Sequence, residues 1–365
     1  MMATSFSRRA ALGVLAGCAA VHVSSAHSAE EPSLAKIAQP NGLLFGAAAP
    51  SEITDAAYRQ LYRSQTKLIT TDNALKMSTI AAQPGPNRYG SADQLLQFCA
   101  DSGIAMRGHC LIWNDWVPEW IRAMSVNERR AFFDAYIEEV VGRYAGKLHS
   151  WDIVNEPFWP GHNAPGGFRT GPWYDAFGPG YIRRAFERAA TVDRHTPLVL
   201  NEAQTERDDE LGHTVRDGLL RLVADLKNAG VHLTAVGLES HLQPRYPHDP
   251  GRFLDFVHQL AANGIDIYLS EFDVSDVTFP DDVATRDAMV AQTAESFLTN
   301  VLSVPQVKVV VTWELSDKYS FYAAAARQQD PTATRLPRPL PYDDRMRRKP
   351  LWYAMARSLQ TSRKG

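Results

Sequence analysis

Cysteine is scarce in this chain, with three residues in 365, at positions 18, 99 and 110. So few exclude a disulfide-built fold, and no Cys/His spacing matches a zinc site. An excess of one charge is also lacking. The 38 Lys and Arg nearly balance 41 Asp and Glu, for a net charge of −3, which leaves no basic footprint for nucleic acid. Long apolar runs are absent too: Ala10 to Val23 is short and contains His22, whereas a bilayer span needs roughly 17–25 apolar residues. No GxGxxG or Walker loop follows any candidate strand, which removes support for an open nucleotide-binding sheet. What remains is a chain that is 45% apolar and long enough to bury a large core in one or two domains.

Residues 1–30 read as an export signal. Ser7-Arg8-Arg9 gives a basic start, the apolar run follows, and Ala26-His27-Ser28-Ala29 offers a small-residue processing region. The Arg pair is twin-arginine-like, and Leu15-Ala16-Gly17-Cys18 resembles a lipoprotein box that would lipidate Cys18. The protein is therefore expected to be exported, to the periplasm or beyond, without a transmembrane segment. Residues 31–365 carry no internal repeat, low-complexity tract or Gly/Ser linker and read as one catalytic domain. Cys99 and Cys110 read as small buried apolar side chains, with a disulfide between them left open.

A short β-branched run followed by a helical pattern recurs along this domain. The candidate strands are 43–48, 67–70, 104–113, 148–156, 197–202, 233–241, 265–271 and 307–314. Amphipathic stretches such as ERRAFFDAYIEEVVGRYAG and DGLLRLVADLKNAG lie between them, the second stopping at Gly230. Near-continuous apolar strands alternating with helices imply a parallel sheet covered by helices. Eight such units predict an α/β fold of the (β/α)8 TIM-barrel type.

A barrel places its working residues at the C-terminal ends of the strands. The polar residues here obey that demand: Asp72 and Asn73, His109 and Trp113, Asn155 and Glu156, Asn201 and Glu202, Glu239 and His241, Glu271, then Trp313 and Glu314. Glu156 and Glu271 lie 115 residues apart and close the fourth and seventh strands, on opposite walls of the mouth. Two carboxylates facing across a pocket are what glycoside cleavage needs, about 5–5.5 Å apart for retention and about 6.5–9.5 Å for inversion. Trp113, Trp116 and Trp313 offer flat faces for sugar rings, Asn155 is placed to bond a hydroxyl, and His241 to hold the Glu271 carboxylate ionised.

The segments TTDNALK (70–76), MRGHCLIW (106–113), WDIVNEP (151–157), GLESHL (237–242), YLSEFDV (268–274) and VTWELSDKYSF (311–321) resemble those of glycoside hydrolase family 10 endo-β-1,4-xylanases. The resemblance covers nearly all of the mature length. It implies a retaining double displacement on internal β-1,4 bonds of xylan, with Glu156 as acid/base and Glu271 as nucleophile. It places Asn73, Lys76, His109, Trp113, Asn155, His241 and Trp313 in the glycone-binding pocket, and Asp72, Glu239 and Phe321, at altered pocket positions, are expected to contact substrate as well. The expected substrates are xylan and xylo-oligosaccharides, and a monomer needing neither metal nor organic cofactor is expected. An apolar surround and a second ionised glutamate are expected to raise the Glu156 pKa. A related barrel acting on another β-1,4-glycan, or a weakly active glycan-binding barrel, are the competing readings.

The family pattern is broken at several positions: Asp72 stands where a Glu is usual, Met77 for an aromatic, Asn114 and Trp116 for His and Gln, Glu239 for Gln, and Phe321 for a second Trp. Glu239 is the most consequential, since a third carboxylate beside Glu271 would raise the local pKa values unless Lys76 or His241 neutralised it. Two irregular segments are expected to shape the cleft: residues 161–180, with six glycines, and the Pro/Arg-rich residues 327–350. The arginines of the second read as a solvated charge run, with binding of acidic xylan side groups as the sharper alternative.

Overall fold

The computed structural model describes Met1 and residues 32–362, so the export signal, Met1 apart, lies outside the described residues, Cys18 included. From Ser33 onward the chain forms one compact unit. Its strands are β1 Leu44–Ala49, β2 Leu68–Thr71, β3 Ala105–Gly108, β4 Ser150–Asn155, β5 Leu198–Glu202, β6 Ala235–Leu238, β7 Asp266–Val274 and β8 Val307–Thr312. Each pairs in parallel with its sequence neighbour, β6 pairs with β7, and β8 returns to β1 through Leu44↔Val309, closing the barrel. A ninth, two-residue strand, His241–Leu242, extends β6 after a break and pairs with Asp273–Val274.

All eight expected strands are present, and the third is shorter than expected. It ends at Gly108, and beyond it only Ile112 bridges back to Val154. The helices start and stop where the side chains dictate. Ser125 and Glu128 form a capping box at the start of helix Val126–Tyr144. Helix Glu210–Asn228 is capped by Asp209, and Gly230 at φ +71° turns the chain out of it.

Two apolar clusters hold the barrel. The larger packs the outer strand faces against the helices, and the smaller (Leu68, Val199, Ala235, Tyr268, Val309 and Val311) fills the lumen. Above that plug, the fully buried Arg107 and Asp152 form an ion pair, and the Arg107 guanidinium lies 5.9 Å from the Tyr268 ring across the barrel. Removing either charge would strand its partner in a dry interior, so the pair fixes the floor of the site.

Register shifts interrupt two strands just before their functional ends. β4 carries one extra residue between Asp152 and Val154, and β7 one between Leu269 and Phe272. A bulge of this kind switches the face on which later side chains emerge. These two bulges immediately precede Glu156 and include Glu271.

Among the described residues no helix is long and apolar enough to cross a membrane. Cys99 and Cys110 are buried free thiols, as the small-apolar reading expected. The Pro/Arg-rich segment is a solvated charge run only in part: Arg327, Arg345 and Arg347 are exposed, whereas Arg335 and Arg338 are tied down. Arg335 reaches Asp281 at 2.6 Å and the Phe279 carbonyl at 2.9 Å, while Arg338 forks onto Asp287 at 2.7 and 2.8 Å. These arginines tie the segment to the barrel rim.

Candidate active site

The strand ends converge on one polar cluster at the C-terminal mouth. At its centre is Asn201, wholly buried at the end of β5. Its amide nitrogen lies 2.8 Å from Asn155 Oδ1, 2.8 Å from Glu271 Oε1 and 3.2 Å from Glu239 Oε1, while its Oδ1 accepts the Ser270 hydroxyl at 2.6 Å. Asn155 Nδ2 in turn is 3.4 Å from Glu156 Oε1. The two candidate catalytic carboxylates are thus joined through two amides. Gly237 makes room for this centre, because a Cβ there would sit 2.0 Å from Asn201 Oδ1.

Glu271 is 5% exposed and is held by bases. His241 Nε2 approaches Oε2 at 3.3 Å, and its Nδ1 is fixed by Asp273 at 2.9 Å. His109 Nδ1 is 2.9 Å from Asp152 and 3.7 Å from Glu271 Oε1. Burial alone would raise the Glu271 pKa, but His109, His241 and Lys76 outweigh it and hold the carboxyl at about 2. Burial also opposes charge on His241, yet Asp273 and Glu271 raise its pKa well above the ordinary imidazole value. The pair therefore rests as carboxylate and imidazolium at neutral pH.

Glu156 leaves the end of β4 in a left-handed conformation, φ +45°, with its N–H donated to the Asn201 carbonyl at 2.9 Å. Such a φ costs a non-glycine residue about 1 kcal/mol or more and persists only where the surroundings hold it. The expected apolar surround is not what is found. Arg169, from the glycine-rich segment, pairs with Glu156 Oε2, donates from Nε to the Glu156 carbonyl at 2.8 Å, and also pairs with Asp115. Burial still dominates: it raises the Glu156 pKa, Arg169 pulls it down, and Glu271 and Asp115 push it up, for a net rise. The two glutamates are driven in opposite directions, one toward the acid and the other toward the anion.

The remaining expected residues divide into three groups. Lys76 sits within 5.2–6.0 Å of the Trp113, Trp116 and Trp313 rings and contacts Asp72 at 3.4 Å and Asn73 at 3.3 Å. Trp113 and Trp116 stack at 6.1 Å, and Phe321 stands edge-on to His241 at 5.5 Å. Trp116 and Phe321 are exposed, as residues on an open platform must be. Glu239 joins the cluster beside His241, at 3.9 Å, and not beside Lys76. Asn155 has both ends of its amide engaged by Asn201 and Glu156.

One loop residue and two strand-end acids serve the scaffold. Asn114 accepts the Trp173 N–H at 3.0 Å and anchors the glycine-rich segment. Glu202 accepts the Phe158 and Ala203 N–H groups at 3.1 and 2.9 Å. Glu314, at φ +80°, turns back to the Tyr58 and Tyr62 hydroxyls at 2.6 and 2.9 Å. Sequence reasoning missed Arg169, whose signal was its place as the one arginine within residues 161–180, directly after the Glu156 strand.

Residues 33–358 match glycosyl hydrolase family 10. The chain belongs to that family. The "Beta-1,4-xylanase" of Dictyoglomus thermophilum is 30% identical over 298 residues, covering 78% of this chain and 82% of that protein. The "Thermostable celloxylanase" of Thermoclostridium stercorarium is 30% identical over 323 residues, covering 80% and 81%. Among solved structures, xylanase B from Clostridium stercorarium F9 superposes with a TM-score of 0.77 at 26% identity, covering 89% of this chain and 99% of that one. Native xylanase 10B from Thermotoga maritima reaches 0.80 at 24% identity, covering 90% and 98%, which shows the shared fold.

Proposed function

We propose that this family 10 glycoside hydrolase is an exported endo-β-1,4-xylanase that cleaves internal bonds of xylan with retention of configuration. The observation that carries the reading is the opposite poise of two carboxyls linked through Asn155 and Asn201: Glu156 held toward its protonated form and Glu271 held ionised. Family membership and relatives named as xylanases support the substrate class.

In this reading Glu156 donates its proton to the departing glycosidic oxygen while Glu271 attacks the anomeric carbon and forms a glycosyl ester. Once the Glu271 charge is consumed, Glu156 loses one influence that raised its pKa. It is then the base that takes a proton from the incoming water. Asn73, Lys76, His109, Trp113, His241 and Trp313 line the glycone side, with Asp72, Asn155, Glu239 and Phe321 supporting them. Phe321 and Trp116 supply exposed faces for further rings. Residues 1–30 direct export.

The test follows hydrolysis of β-1,4-xylan by residues 31–365 with proton NMR, beside Glu271→Ala and a cellulose sample. Xylo-oligosaccharides appearing first as the β-anomer, and lost in the variant, are the expected result. A first-formed α-anomer would refute the retaining mechanism. The relative named as a celloxylanase makes β-1,4-glucan the substrate to compare, and cleavage of cellulose alone would reassign the substrate.

A further inference from the structure

Two acids crowd one end of the site beside His241, and their hydrogen bonds do not balance if both are ionised. One ligating atom each from Glu239, His241 and Glu271 lie within 4.8 Å of one another, and Glu239 is only 4% exposed. Asn201 has two amide hydrogens but three acceptors: Asn155 Oδ1, Glu271 Oε1 and, farthest at 3.2 Å, Glu239 Oε1. His241 directs Nδ1 at Asp273 and Nε2 at Glu271 Oε2, leaving Glu239 Oε2 at 3.9 Å, too far for a hydrogen bond. The other charged groups around it bring it no donor either. Glu156 from the end of β4, Glu202 from β5 and Asp273 from β7 are acids, and His109 at the end of β3 is turned to Asp152 and Glu271.

Two adjacent carboxyls in so dry a place cannot both ionise. Glu271 has the shorter donors on both oxygens, whereas Glu239 has none on Oε2. We propose that Glu239 holds a proton on Oε2 in the resting enzyme and in that form is a positioning residue, leaving the Asn201 and His241 donors to the nucleophile. Burial and the neighbouring Glu271 and Glu156 push the Glu239 pKa well above the ordinary range, in agreement with that geometry. The neutral carboxyl keeps Glu271 the sole anion of the trio and makes Oε2 a donor instead of a second acceptor. Loss of the proton at high pH sets a second negative charge beside Glu271 and draws Asn201 and His241 away from it. The inference rests on Glu271 being the nucleophile.

Glu239→Gln tests it, since the amide is neutral at every pH and has nearly the same shape. The expected result is an alkaline limb of kcat/KM on xylo-oligosaccharide that falls with two protons in the wild type, approaching about 100-fold per pH unit, and with one, about tenfold, in E239Q. A role in packing alone would scale the profile without changing the slope of that limb. The infrared spectrum of the wild type minus that of the variant at pH 7 supplies a second readout that needs no activity, with Glu239→Met giving the same subtraction from an apolar side chain. A carboxylic-acid C=O band in the difference is expected. Carboxylate bands there, or an alkaline limb of unchanged slope in E239Q, would overturn the proposal. Absence of xylan hydrolysis by the wild type would instead strike at the proposed function and leave the infrared result to stand by itself.

Discussion

Replacing Arg169 by glutamine removes the cation in direct contact with the Glu156 carboxylate. Burial raises the Glu156 pKa, and Arg169 is the strongest influence opposing that rise. Unlike charges at about 4 Å with an effective dielectric near 20 attract by about 4 kcal/mol, which would equal about three pKa units at 1.36 kcal/mol each. The Glu156 side chain retains 16% exposure, so water recovers part of that. A rise of about one to three units is expected, the range for a single opposing charge at close quarters.

The two half-reactions separate the consequence. As an acid, Glu156 stays protonated to higher pH, so its step on the alkaline limb of kcat/KM moves up by about one to three units, read in the E239Q background where that step stands alone. As a base it is ionised less often, so hydrolysis of the glycosyl ester slows at neutral pH and the ester accumulates. A pH series of kcat/KM on xylo-oligosaccharide, with burst kinetics on an aryl xyloside, reads both. Arg169→Lys keeps the charge and is expected to hold the limb near its wild-type place. The limb staying within about 0.3 units in R169Q, with the fold intact by thermal melting, would refute the electrostatic role of Arg169.

Gly237→Ala places a methyl 2.0 Å from Asn201 Oδ1 and 3.1 Å from Ser270 Oγ. Overpacking of this kind costs about 1–3 kcal/mol of stability, and by swinging the amide off Glu271 it is expected to lower kcat about tenfold or more; a variant matching the wild type in both urea midpoint and kcat would show that the Asn201 link is dispensable. Glu314 is buried and its pKa is raised from 4.5 to about 8, chiefly by burial. A raised carboxyl stabilises fully below its unfolded pKa and loses that contribution as pH climbs through about 8, here up to about 5 kcal/mol at 1.36 kcal/mol per unit. Urea midpoints are therefore expected to fall less between pH 5 and pH 9 in Glu314→Gln than in the wild type, and parallel declines would contradict the assignment.

The barrel was legible because alternating apolar strands and amphipathic helices are local patterns, readable in a single chain. The strand-end rule then located His109, Glu156, His241 and Glu271 without further help. It could not separate the working carboxyls from Glu202 and Glu314, which occupy equivalent positions and turn into the scaffold. That distinction depends on where backbone N–H groups and the tyrosine pair of helix Ala56–Gln65 point. Bulges in β4 and β7 were also beyond the sequence, because a period-two pattern assumes that no residue is inserted. Arg169 was hidden for a related reason: it reaches Glu156 from a loop whose course is set by Asn114 and by Gly171 at φ +149°, not by any periodicity.

Charge at this mouth is decided by the kind of donor each buried acid receives. Glu202 accepts two backbone N–H groups and Glu314 two phenols, yet both pKa values are raised, because neutral dipoles do not compensate full burial. Glu156 has a guanidinium and is raised less simply, with the cation and burial opposed. Glu271 stands apart. It faces His109 and His241, each bonded to an aspartate, and it is lowered to about 2 despite burial. The aspartate at 273 therefore acts at one remove: without it burial would work against the His241 charge and leave Glu271 to His109 and Lys76. The proposed nucleophile is the carboxyl on which two His–Asp pairs converge, and the neighbouring acids, without a bonded imidazole, have raised pKa values.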